Sequence, residues 1–211
     1  RSDYFDAGVA HKLNKNVNVA FDLYFKEAKN MLDEHQLNNS LAYVPFNYDK
    51  GRTYGAEFKV EYEKDNFSSF FNLATMRATG KGINSGQYLN DQAEVSYAAN
   101  NHIAVDHSQN YTASLGGAYT YMQTKFSADA LYGAGLRTGE NNHASMPAYW
   151  QLNGSVSRNF NLPYIGRTSL RIAGVNLLDN SYRYSNGSGV GTSASQYAMR
   201  RSFYLIASKN F

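Results

Sequence analysis

Cysteine is absent from the 211-residue chain, which removes a disulfide framework, a thiolate zinc site and a cysteine nucleophile together. A strong excess of either charge is absent as well. Lys and Arg number 20 against 17 Asp and Glu, a net charge of +3, far from the basic face with which a nucleic-acid binder meets phosphate. Long apolar runs are also missing. The richest stretch, residues 67–76, is broken by Ser68, Ser69 and Asn72, whereas a membrane-spanning helix needs about eighteen or more apolar residues in succession. The first residue is Arg1, not Met, and no charged, apolar and small-residue succession of a signal peptide follows, so a processed or cut N-terminus is expected. None of these absences excludes a membrane protein built of strands. Such a wall alternates lipid-facing and lumen-facing residues and keeps a hydrophilic average, as the mean hydropathy of -0.54 here allows.

What the chain does have is aromatic residues, 12 Phe, 18 Tyr and one Trp, and a period-two alternation that recurs in segments of about ten residues, the length of a tilted membrane strand. Val17, Val19, Phe21, Leu23 and Phe25 alternate with Asn18, Ala20, Asp22, Tyr24 and Lys26. Tyr54, Ala56, Phe58, Val60 and Tyr62 alternate with Gly55, Glu57, Lys59 and Glu61. The same pattern returns from Phe126 to Arg137 and from Trp150 to Ser157, and more weakly at 3–13, 67–79, 110–121, 167–177 and 198–211. Nine strands are therefore predicted. Their connections alternate between short (14–16, 64–66, 122–124, 159–166) and long and polar (29–52, 80–108, 138–147, 178–197), the asymmetry of an outer-membrane barrel with tight periplasmic turns and longer extracellular loops. A soluble sandwich also alternates, but its strands usually run about five or six residues. Tyr54, Tyr62, Tyr119, Tyr121, Tyr149 and Trp150 near strand ends fit interfacial girdles.

Nine antiparallel neighbours leave the first and last strands pointing the same way, so they cannot close a seam, and bacterial single-chain barrels have even strand numbers. The chain is thus expected to be part of a larger barrel, with the remainder N-terminal to it.

Residues 168–182, Thr-Ser-Leu-Arg-Ile-Ala-Gly-Val-Asn-Leu-Leu-Asp-Asn-Ser-Tyr, resemble the penultimate strand of TonB-dependent outer-membrane receptors. In that family the strand ends in Asn-Leu-Phe-Asp followed shortly by Tyr; here Leu178 replaces the commoner Phe. Residues 187–211, with Gly187, Gly189, Gly191, Gln196, Tyr197, Arg200, Arg201, Phe203 and Phe211, are similar to the family's last loop and strand. Tyr54 to Phe58 and the stretches 106–109 and 131–137 add further likeness. The resemblance implies an all-β fold, an antiparallel transmembrane β-barrel meander forming the C-terminal part of a ~22-stranded barrel closed by a plug. It also implies active uptake of a scarce ligand, often a ferric siderophore, in the Gram-negative outer membrane. The expected partners are outer-membrane lipid, the TonB complex through a plug and N-terminal segment outside this sequence, and the barrel-assembly machinery. That machinery would read the terminal strand, with Phe203, Leu205 and Phe211 on one face. No cofactor, enzyme activity or nucleic-acid partner is expected.

Counting faces along the strands puts Lys26, Arg137 and Arg200 on the lumen side near one rim. A low-dielectric mouth of one sign concentrates counter-ions, and Arg offers paired donors to carboxylates or phosphates. With Tyr182 and Tyr184 adding aromatic surface, an anionic small molecule or metal chelate is the expected ligand. The competing reading pairs these cations with lumen acids such as Glu27 or Asp129. His102, Asp106 and His107 lie close enough in sequence to suggest a zinc or iron site, though not at a recognised ligand spacing. Ser108 beside them suggests a hydrolase, and a passive porin would show the same strands.

Overall fold

The computed structural model describes residues 1–37, 40–85, 91–163, 166–191 and 194–209. In chain order the elements begin with β1 (Ser2–Asn14), β2 (Val17–Gln36), β3 (Tyr43–Lys64) and β4 (Phe67–Asn84). A helix α1 (Gln92–Asn100) and the short β5 (Ile103–Ala104) precede β6 (Tyr111–Tyr121) and β7 (Thr124–Gly133). Two short strands, β8 (Arg137–Thr138) and β9 (Ala144–Ser145), lead to β10 (Tyr149–Leu162) and β11 (Gly166–Val175). The small pair β12 (Arg183–Asn186) and β13 (Ser195–Tyr197) comes before β14 (Ser202–Lys209).

Nine of these strands form one antiparallel path, β1-β2-β3-β4-β6-β7-β10-β11-β14, with β5 attached to β4. Each joins its neighbour in sequence order, the meander that the alternating loop lengths predict. Tight turns close one end. Asn16 N–H donates to Asn14 Oδ1 at 2.9 Å, and Met122 and Gln123 both take positive φ (44° and 64°), the twist that suits a two-residue hairpin.

Cross-strand register carries the alternation from strand to strand. Val9, Phe21, Phe58, Leu73, Ala113, Tyr132 and Trp150 stand opposite one another in a single row across seven strands. Six residues further along β10, a second row on the same face joins Val156, Ile172 and Leu205. This face is solvent-exposed and apolar, with Val9, Leu23, Leu115, Ile172, Phe203 and Leu205 all at least half exposed. The other face carries Asp22, Glu57, Lys59, Asn72, Ser114 and Asp129, tied by short polar contacts such as Asn72 Nδ2 to Ser114 Oγ at 3.0 Å. An apolar exterior with a polar, concave interior is the arrangement of a wall solvated by lipid.

Three expectations about boundaries need correction. Residues 29–52 are not a loop: β2 and β3 stay paired from Val17↔Tyr62 to Gln36↔Tyr43, so the hairpin projects far above the band of apolar residues. The strand expected to reach Arg137 ends at Gly133, because Gly135 turns the chain away at φ +87°. The last strand starts at Ser202, not 198. Within the long connection 80–108, helix α1 was not foreseen. It is nine residues long and capped by Asp91, whose side chain accepts from Ala93 N–H at 2.8 Å; among the described residues no helix is long and apolar enough to cross a membrane.

The hydrophobic core sits in the loop layer. Phe46 and Tyr48 of the hairpin, Ala98 of α1, Ile103, Val105 and Val190 of the last long connection form one buried cluster, with Met31, Ala78 and Ile83 against it. A Cβ on Gly80 would come within 2.5 Å of the Tyr48 ring, so glycine is what lets β4 approach that ring. Asn142, wholly buried, donates to the carbonyls of Ala104 and Val190 and accepts from Val190 N–H. Three connections are thereby fastened to one side chain.

Candidate functional site

The loop end of the wall holds the residues that the sequence nominates, but in a different grouping. Lys26 sits on the polar face of β2, opposite Thr53. Glu27, one residue on, points to the other face and pairs with Arg52 at 2.8 Å, so it is not a lumen partner for these cations. Asp129 does face inward, and its Oδ2 accepts from Asn153 Nδ2 at 2.7 Å. That contact continues through Gln151, which donates to Asn153 Oδ1 at 2.9 Å and accepts from the Tyr182 hydroxyl at 2.8 Å.

Arg200 is engaged by Asp179, whose two carboxylate oxygens accept from Nε and Nη2 at 2.9 and 2.6 Å. Asp179 also accepts from Arg201 N–H at 3.0 Å, and these three donors hold its carboxyl well below the usual range. The neighbouring Asn176 is fully buried with φ +52°. Its amide donates to the carbonyls of Asn180 and Met199, its oxygen accepts from Asn180 N–H, and Asn180 Nδ2 reaches Trp150 O. The Asn-Leu-Leu-Asp-Asn stretch is therefore a knot joining the start of β10 and the end of β11 to the chain just before β14.

Tyr182 stacks on Tyr149, centroids 4.1 Å apart and planes 4° apart, and Tyr184 stands edge-on to both. Arg137 lies in β8, where Nη1 donates to Ser145 Oγ at 2.7 Å, while its Nε is buried with no partner. Arg137 and Tyr184 line a cavity of about 440 Å³ together with Asp33, Asp106, His107 and Ser188.

The histidines separate. His102 Nδ1 lies 3.3 Å from Thr79 Oγ1, and burial followed by nearby cations lowers its pKa. His107 instead meets Asp106, Nδ1 to Oδ1 at 2.9 Å, and that hydrogen bond raises its pKa. The third member of the group is Asp33 on the projecting hairpin, 3.8 Å from the same nitrogen. Burial pushes Asp33 up to about 6. Sequence reasoning missed Asp33 because it read residues 29–52 as a solvated loop. Ser108 is buried and its hydroxyl donates to Val105 O at 2.6 Å, while the His107 ring is bound to Asp106, so these neighbours form no nucleophile and base pair. Phe203 and Leu205 project from the apolar face of β14; Phe211 lies outside the described residues.

An open antiparallel wall with an apolar exterior and a loop-built mouth defines a transmembrane barrel of the outer-membrane kind. The sequence matches the family described as TonB dependent receptor-like, beta-barrel, over residues 1–177, and the chain belongs to that family, which comprises receptor barrels and not enzymes. No curated protein sequence matches. Among solved structures it is similar to the ferric-catecholate import receptor Fiu from Escherichia coli K12, with 18% identity, a TM-score of 0.64, and coverage of 100% of this chain and 27% of that one. The siderophore receptor PiuA from Acinetobacter baumannii gives 18% identity and a TM-score of 0.65, over 98% of this chain and 28% of that one. The outer membrane transporter YddB from Escherichia coli gives 12% identity and a TM-score of 0.68, over 100% and 32%. The chain thus spans about a third or less of the length of these structures.

Proposed function

We propose that the chain is the C-terminal part of an outer-membrane receptor that captures a scarce anionic ligand, a ferric siderophore before a carbohydrate or corrinoid, and imports it with energy supplied through TonB. Family membership supports the receptor reading over the passive porin. The observation that carries the ligand reading is the mouth cavity, where Arg137 and Tyr184 share one wall space beside the Tyr149–Tyr182 stack. Arg137 lines that cavity with Nη1 donating to Ser145 Oγ, and a guanidinium carries five N–H groups, so donors remain for a chelate's oxygens. Arg200 fits this role less well, since its Nε and Nη2 are both engaged by the Asp179 carboxylate. Lys26 lines the route below. Two structural neighbours are described as a ferric-catecholate import receptor and a siderophore receptor, which is consistent with an iron chelate as cargo.

The test is growth of a deletion strain, complemented with the full-length gene, on single ferric siderophores, sugars and cobalamin. Rescue by one siderophore, lost with Arg137→Ala and lost without TonB, is the expected result. Rescue that persists without TonB would instead indicate a passive channel.

A further inference from the structure

We propose that Asp33, Asp106 and His107 form a binding site for a divalent, zinc-like transition cation at the mouth of the barrel. The ligand atoms, one from each side chain, all lie within 4.8 Å of one another. His107 Nδ1 stands 2.9 Å from Asp106 Oδ1 and 3.8 Å from Asp33 Oδ1. Two donors each about 2.1 Å from a zinc-like ion lie roughly 3.0–3.4 Å apart for angles between a right angle and the tetrahedral one, so these separations need only a small adjustment to become adjacent coordination positions.

Burial of its two carboxylates separates this group from an ordinary surface cluster. The Asp33 side chain is 8% exposed and that of Asp106 12% exposed. Asp33 accepts a hydrogen bond from Glu34 N–H, on the same oxygen that faces His107. No lysine or arginine forms an ion pair with it among the described residues. A buried carboxylate is retained where something neutralises it, and an imidazole 3.8 Å away whose side chain is 67% exposed is a weak counter-charge. Close by, the wholly buried Tyr48 holds a hydroxyl with no hydrogen-bond partner. Burial, followed by the charges of Asp33 and Asp106, pushes the pKa of that hydroxyl up.

The scaffold behind the ligands is rigid. Asp33 is opposite Phe46 of the buried cluster in the β2–β3 register. Asp106 packs against Gly191, where a Cβ would come within 2.5 Å of the carboxyl and φ is +116°; only glycine leaves that space. One imidazole and two carboxylates match a borderline cation better than calcium or magnesium, which prefer oxygen alone. Three protein ligands leave further positions open towards the 440 Å³ cavity, as in sites that also take an exogenous donor. Arg137 on the same cavity would favour an anionic one.

The site concerns binding by these three side chains alone, so its failure leaves the uptake proposal standing. The experiment is calorimetric titration of chelator-stripped full-length receptor in detergent with Zn²⁺ and, separately, Ca²⁺. Wild type is expected to bind one more zinc equivalent than His107→Ala or Asp33→Asn, or to bind it at least about tenfold more tightly, while His102→Ala matches wild type. Unchanged stoichiometry and affinity in the Asp33→Asn/His107→Ala double variant would overturn the proposal, as would calcium binding more tightly than zinc at this site.

Discussion

At the scale of single residues, two buried asparagines do more than the charged groups that stand out in the sequence. Asn176 and Asn142 each make three hydrogen bonds to backbone atoms of other segments or of their own turn, and both take positive φ, which alanine tolerates poorly. Leaving buried carbonyls unpaired costs about 1–3 kcal/mol per group. Asn176→Ala should therefore destabilise the turn into β14 by a few kcal/mol, read as a lower temperature of heat-modifiability for the full-length barrel. Asp179 adds a pH-dependent part. Its carboxyl is held below the ordinary carboxylate value of 3.8 by Arg200 and Arg201, so its stabilising contribution is present above that value and lost only as pH falls through the depressed one. Asp179→Asn should accordingly weaken the barrel equally at pH 7 and pH 5, with the gap to wild type closing only in stronger acid. A gap that closes between pH 7 and 5 would contradict the pairing. The asparagine of the motif was visible in the sequence through family likeness alone. Its purpose was not, because its amide donates to Met199 O and its own N–H to Asn153 Oδ1, both 23 residues away in the chain.

At the scale of elements, the strands were legible and the connections were not, for a physical reason. Period-two alternation reports one face solvated by lipid and one by water, and that contrast exists only within the apolar band. Above it, β2 and β3 continue with both faces partly covered by protein, and residues such as Met31, Asp33 and Phe46 follow no simple period. Charged and polar residues in 29–52 thus looked like a loop while belonging to a ladder. The consequence is testable with protease added to intact cells expressing the full-length protein. Cleavage of this hairpin should be confined to its tip between Gln36 and Tyr43, where Leu41 is 97% exposed, and should spare 43–52. Tyr48→Ala, which removes a fully buried ring from the core of the loop layer at a cost of about 3–5 kcal/mol, should open 43–52 and the α1 region to cleavage while leaving the wall intact. Assembly is carried by a different element. If the apolar face of β14 is the segment read by the assembly machinery, deleting Phe211 should lower surface levels, and normal levels would remove support for that role.

At the scale of the whole molecule, the described sheet is open. β1 and β14 lie at opposite ends of the strand order and do not pair, and every residue of β1 is exposed. In lipid each unsatisfied backbone group costs several kcal/mol, so the isolated 211-residue polypeptide should not give a heat-modifiable monomer in detergent. Strand β1 should exchange its outward amide hydrogens freely. A discrete protected monomer would show that these edges close by some other route.

The buried cluster and its asparagine have one more consequence. Seven strand spacings separate β2 from β14 along the sheet, an arc of about 34 Å. Yet Gln36 N–H donates to Gly191 O at 2.7 Å, Ala194 N–H to Gln36 Oε1 at 3.1 Å, and Gln196 Nε2 to the Tyr43 hydroxyl at 2.8 Å. Chain segments more than 150 residues apart are thus tied across the top by three short bonds. The wall is therefore roofed as well as curved. If the chain serves uptake as proposed, a solute would meet this arch at the mouth, and a doorway that widens during passage is expected to hinge elsewhere on the rim, away from these three bonds.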